Sequence, residues 1–177
     1  MTGAKKGTVV HLIMEVLDLS KVSTEKEIKS QIDNLIKRNV ITEKESKVLT
    51  PRKILKFFES PIGRRMLSSS FVKREQKIYT QVKMNDIYVN DKLFKNNRET
   101  YKDESVMLRG VIDVYFEEDD QIVVLDYKTD KVYNKEEIVH RYKKQLDIYA
   151  EALSILTGKT VKEKYLYLFS INQEIKV

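Results

Sequence analysis

A chain of 177 residues, 41% of them hydrophobic and with few glycines and prolines, carries enough apolar material for one domain with its own core. The absence of cysteine excludes a disulfide framework, a thiolate zinc site and a cysteine-ligated iron–sulfur cluster, so any metal must sit on oxygen or imidazole. A formal charge of +6 favours a polyanionic partner, although both signs are mixed along the chain.

Helical periodicity opens the sequence. Val9, Leu12, Ile13, Val16 and Leu17 recur at helix spacing, and Ile28, Ile32, Leu35 and Ile36 do so on a second stretch opened by Ser23. Thr42 with Glu45 has the reciprocal capping pattern, and Thr50-Pro51 puts proline at a first helical position, where no amide is lost, ahead of Ile54, Leu55, Phe57 and Phe58. Residues 1–70 read as a helical wrapper and residues 71–177 as the sheet-containing core of the same domain. From Phe71 the period shortens to two, with strands expected over Phe71 to Val82 and Ile87 to Val89, then a polar loop through Asn96 and Asn97. Val106 to Phe116 and Gln121 to Thr129 flank the acidic turn Glu118-Asp119-Asp120 and read as an antiparallel hairpin. A long helix over Lys135 to Thr157 should end at Gly158, before a last strand from Lys162 to Ile171. Gly158-Lys159-Thr160 mimics the end of a phosphate-binding P-loop, but Leu153 stands where that motif needs glycine, so no nucleotide motor is encoded here. No apolar run approaches the roughly 20 residues of a bilayer span, and the opening residues lack a signal peptide's apolar stretch, so the expected setting is cytoplasmic with no membrane partner.

The chemistry concentrates on the hairpin. If it is symmetric about Asp119 and Asp120, Asp113 falls directly opposite Asp126, with β-carbons roughly 5 Å apart. Carboxylates that close repel, and the apolar run Ile122 to Leu125 would desolvate them; a divalent cation between them removes both penalties. Alternation puts Asp126 and Lys128 on one face. Asp113, Asp126 and Lys128 suit phosphodiester hydrolysis, with carboxylates holding Mg²⁺ and the ammonium group orienting water or offsetting developing charge. The alternative is a solvated Asp126–Lys128 pair on an edge strand, with Asp113 an unrelated exposed acid. The opposed aspartate, Gly110 as a point of close approach for a backbone or phosphate, and the apolar lead into Asp126 weigh against it.

Gly110-Val111-Ile112-Asp113, Leu125-Asp126-Tyr127-Lys128-Thr129 and Gln145-Leu146-Asp147-Ile148-Tyr149 resemble, in order, the G-x-x-D, D-Y-K-T and Q-x-x-x-Y motifs of RecB-type nucleases, a branch of the PD-(D/E)XK superfamily. Gly7 to His11 is similar to the family's G-T-x-x-H element, and Ser60 to Arg65 with Arg74-Glu75 resemble the AddA subgroup. The resemblance implies an α/β, restriction-endonuclease-like core: a mixed central sheet flanked by helices, here with an N-terminal helical wrapper. It implies His11, Asp113 and Asp126 as metal ligands with the Tyr127 backbone carbonyl, Lys128 as the catalytic lysine, and Glu75 as an acid assisting metal or water. Gln145 and Tyr149 would then lie beside metal and DNA, with Arg141 among the DNA-binding residues. Mg²⁺ is the implied cofactor, with Mn²⁺ or Ca²⁺ able to occupy the site. The implied activity is that of an exonuclease acting on DNA, single-stranded after unwinding, in double-strand-break repair and recombination. The implied partners are the helicase portion of the same polypeptide and an AddB-like subunit. A catalytically silent module that grips DNA or a partner is the rival reading. Basic runs at Arg64-Arg65, Lys73-Arg74 and Arg141 with Lys143-Lys144 fit a DNA backbone, and surface solubility explains them equally well.

Overall fold

A computed structural model describes residues 2–83 and 104–177. Five helices come first: α1 (Gly3–Val16), α2 (Glu25–Lys37), α3 (Glu43–Ser46), α4 (Pro51–Glu59) and α5 (Pro61–Ser68). Their boundaries follow from side chains that satisfy the free amides of a first turn. Thr24 and Thr42 each exchange hydrogen bonds with a glutamate three residues on, Glu27 and Glu45. The cap of α2 is thus Thr24 rather than the expected Ser23, because only Thr24 stands three residues ahead of a glutamate. Ser60-Pro61 repeats the Thr50-Pro51 arrangement and starts α5, a helix the periodicity does not separate from α4. The two pack tightly: a β-carbon on Gly63 would lie 2.0 Å from the Phe57 carbonyl oxygen, so only glycine fits there.

The sheet follows, in the order β1 (Val72–Lys83), β2 (Ser105–Glu118), β3 (Gln121–Lys128), β4 (Val161–Leu168) and β5 (Gln173–Lys176). Neighbours are antiparallel except β3 and β4, which run parallel because α6 (Lys135–Thr157) crosses between them. The hairpin register pairs Glu118 with Gln121, and Asp119 and Asp120 both take positive φ, 54° and 60°, as a two-residue turn that matches strand twist requires. Gly158 ends α6 at φ 70°. Beyond it the single expected strand is two, since Asn172 turns left-handed at φ 49° and lets Gln173–Lys176 fold back on β4. The expected strand at Ile87 to Val89 and the loop at Asn96 and Asn97 lie outside the described residues.

Helices cover both faces. On one, Ile13, Ile28, Ile54 and Phe57 of the wrapper pack with Val114, Phe116, Val123, Leu125 and Tyr127. On the other, Ile138, Leu146, Tyr149 and Leu153 of α6 pack with Ile112, Tyr115, Ile122, Val124 and Leu166. This is the mixed sheet flanked by helices that the resemblance implies. Among the described residues no helix is long and apolar enough to cross a membrane.

One irregularity positions the site. On β2, Val114 and Phe116 face the wrapper, but Ile112 faces α6, so the alternation reverses at Asp113. On β1, Val72 faces the wrapper and Ile78 faces α6, so it reverses there too. The matching residue is Glu75, at φ 47°, and the β1–β2 ladder omits the Glu75–Asp113 step. A glutamate in the left-handed region inside a strand is strained, and such strain is a common companion of functional sites.

Candidate active site

His11 comes from α1, Glu75 from β1, Asp113 from β2, and Asp126 and Lys128 from β3. Each turn of α1 that buries Val10, Ile13 and Met14 leaves His11 at the margin of the core, facing the Glu75–Asp113 step. Its Nδ1 lies 3.2 Å from Glu75 Oε1 and 3.2 Å from Asp113 Oδ1. Ligand-capable atoms of all three lie within 4.8 Å of one another. Burial disfavours a charged imidazole, but the hydrogen bonds and charges of Asp113 and Glu75 prevail and hold the His11 pKa up to about 10, from an ordinary 6.5. A mixed nitrogen and oxygen donor set with two carboxylates fits a divalent cation.

Asp113 has a second task. Its Oδ2 accepts the Tyr127 backbone N–H at 2.6 Å, and the β2–β3 ladder is regular only up to Val114 and Leu125. One further step of that register sets Asp113 opposite Asp126, yet there the acceptor is the Asp113 side chain, so the strands part and open the site. Asp126 is 2% exposed, and its Oδ2 lies 2.6 Å from Lys128 Nζ. Burial, then the nearby Asp113 charge, pushes the Asp126 carboxyl above its usual range, against the pull of Lys128 and His11. Burial works against the Lys128 ammonium, but Asp126 and then Asp113 raise its pKa overall.

α6 fixes the lysine from the other side. Lys128 Nζ sits 4.1 Å from the Tyr142 ring centroid and donates to Gln145 Oε1 at 3.4 Å. Gln145 Nε2 donates to the Tyr149 hydroxyl at 3.0 Å. Tyr149 in turn lies over Gly110, where a β-carbon would come within 3.1 Å of its ring. Gly110, expected to admit a backbone or phosphate, makes room for this tyrosine. The sequence expectation for Gln145 and Tyr149 is contact with DNA; their hydrogen bonds here go to Lys128 and to one another. Arg141 is exposed, 3.5 Å from Asp130.

Each of the three basic runs has a member with a protein partner. Arg65 bonds Glu118 and Glu163, and Lys143 reaches Asp147 at 2.9 Å. Arg74 turns inward, its Nη1 donating to the carbonyls of Met14 at 2.9 Å and Leu17 at 2.7 Å. It thereby holds the C-terminal end of α1 against β1, beside the residue that meets His11. The sequence offers no signal for this, because the partners are backbone carbonyls some sixty positions away in the chain.

Residues 2–176 match the family model of the PD-(D/E)XK nuclease superfamily. The chain belongs to that superfamily. It is also 52% identical, over 99% of its length, to an ATP-dependent helicase/nuclease subunit of Clostridioides difficile strain 630, covering 14% of that protein. It is 47% identical, over 98% of its length, to the proteins of the same name from Clostridium botulinum strains Langeland and ATCC 19397, covering 13% of each. The chain thus spans a small part of these relatives. Within this PD-(D/E)XK domain the G-T-x-x-H element lies on α1, G-x-x-D on β2, the D-Y-K stretch on β3 and Q-x-x-x-Y on α6, and the fold brings all four to one place.

Proposed function

We propose that this chain is the nuclease domain of an AddA-type helicase-nuclease, a single domain within a larger cytoplasmic polypeptide, and that it hydrolyses DNA phosphodiester bonds with Mg²⁺. The observation that carries this is the adjacency of the His11–Glu75–Asp113 donor cluster and the buried Asp126–Lys128 pair. His11, Asp113, Asp126 and the Tyr127 carbonyl are the ligands, and Glu75 assists metal or water. Mg²⁺, replaceable by Mn²⁺ or Ca²⁺ in binding, would polarise the scissile phosphate and lower the pKa of the attacking water. Lys128, held between Asp126 and Gln145 and over Tyr142, orients that water and offsets charge as it develops. Asp126 fixes the ammonium at that distance, and Gln145 and Tyr149 fix its approach. Arg141 takes a phosphate at the rim.

The relatives are named for an ATP-dependent helicase, and a helicase delivers separated strands. Single-stranded DNA is therefore the proposed substrate and exonucleolytic processing of double-strand breaks the proposed role; the proposed partner is an AddB-like protein. The test is cleavage of end-labelled single-stranded DNA with Mg²⁺, Mn²⁺ or chelator, by the parent chain and by Asp126→Asn. Metal-dependent cleavage that vanishes in the variant supports the assignment. Metal binding and DNA binding without cleavage by the parent chain in any of these conditions would favour the silent module.

A further inference from the structure

Past the Glu75–Asp113 step, β1 and β2 continue as a two-stranded extension. The reversed alternation aims Ile78 and its partner Gly110 at α6. It aims Lys77, Tyr79, Gln81 and Lys83 of β1 to the opposite face, together with Met107, Arg109 and Val111 of β2. That face is open: Tyr79 is 72% exposed, Met107 55% and Val111 38%. Lys77 pairs across the strands with Val111, Tyr79 with Arg109 and Gln81 with Met107. Lys77, Tyr79, Arg109 and Val111 also line an open cleft of about 640 Å³.

Three features decide what such a face is for. No acid stands at any of these positions, and Lys77, Lys83 and Arg109 make no ion pair among the described residues, whereas Lys159 and Lys162 each bind two carboxylates. The centre of the face is an exposed tyrosine ring flanked by those cations, the combination that holds unpaired bases and their phosphates. The face is also continuous with the site: Lys77 lies two residues from Glu75 and Val111 two from Asp113, about 7 Å along each strand, and Lys83 extends the row about 20 Å further.

We propose that this face is the track along which a single strand of DNA reaches the cluster of His11, Glu75 and Asp113, with Tyr79 stacking a base and Lys77, Arg109 and Lys83 contacting phosphates. The inference rests on the nuclease reading above and adds the surface that presents the substrate.

The experiment is fluorescence anisotropy of a labelled oligothymidylate with the full chain in chelator, where cleavage plays no part. Tyr79→Ala should weaken binding on the order of tenfold, and Tyr79→Phe should restore it, since stacking needs the ring and not the hydroxyl. Lys77→Ala and Arg109→Ala should each reduce the slope of log affinity against log salt by about 0.7. All three side chains are exposed, so each variant should fold, and circular dichroism checks this. Parent-like affinity and salt slope in Tyr79→Ala, Lys77→Ala and Arg109→Ala together would overturn the track and leave the face to a protein partner. Absence of oligonucleotide binding by the parent chain would overturn it as well. Weakened binding in Tyr79→Ala alongside a parent chain that cleaves nothing would remove the nuclease reading and leave the track standing.

Discussion

The two ends of the β2–β3 hairpin both carry acids, and they treat them oppositely. At the turn, every acid has a base. Glu117 and Asp120 meet Lys159, Glu118 meets Arg65 and Lys162, and Asp119 meets Lys162. Hydrogen bonds from Arg65 and Lys162 hold the Glu118 carboxyl down at about 2. At the open end, among the described residues, Glu75, Asp113 and Asp126 share His11 and Lys128, and burial drives Asp126 upward. At the turn four acids share three cations at the solvent surface, where water screens the remaining charge and the pairs serve the fold. At the open end a similar excess of acid is held largely out of water, where screening is weak, and that is the arrangement a divalent cation would relieve.

Removing the lysine breaks the contrast most sharply. Lys128→Ala should lower cleavage by about a hundred- to a thousandfold while calorimetry still finds metal bound, because in the proposed mechanism the ammonium acts on developing charge rather than on the ion. Unchanged cleavage would take Lys128 out of the chemistry.

The next test uses pH. A cation at the cluster competes with the His11 proton, so Mg²⁺ or Mn²⁺ affinity should rise by up to about tenfold per pH unit from 6.5 towards 10, and His11→Ala should flatten the profile. Without metal the sign reverses. A pKa raised from 6.5 to about 10 means that protonated His11 stabilises the folded chain fully below pH 6.5, and this contribution is lost as pH climbs through 10. Urea unfolding in chelator at the two ends of that window checks it.

The smallest effect belongs to the turn. Glu118→Ala should cost about 1 kcal/mol of stability or less, since Arg65 and Glu118 are each about 30% exposed and screened, and it should leave cleavage intact. A large loss of activity there would dissolve the distinction between the ends.

The hairpin, its turn and the cap at Gly158 were legible in the sequence because each is local. Period-two alternation, two aspartates at a turn and a glycine after an amphipathic run need no distant partner. The acids and the lysine were legible from spacing and resemblance. What the sequence did not disclose lies in contacts across long separations. Arg74 reads as one of a basic pair, and only its seat on the α1 carbonyls shows it holding the helix that carries His11. Glu75 reads through the resemblance as an acid assisting metal or water, but its left-handed backbone, which follows from how β1, β2 and α1 meet, has no signal in the sequence. Gln145 reads as lying beside metal and DNA, and its hydrogen bond from a lysine seventeen residues upstream on another element has no signal in the sequence.

Asp113 illustrates how a proposed ligand can also be a beam. Its carboxylate carries the Tyr127 amide at the point where the hairpin parts. Replacing it deletes an acceptor from the fold along with a donor from the cluster, so inactivity in such a variant is ambiguous. A substrate-trapping version of this domain is better engineered at Lys128, whose side chain spans no break in the ladder, with the frame around the cluster left as it stands.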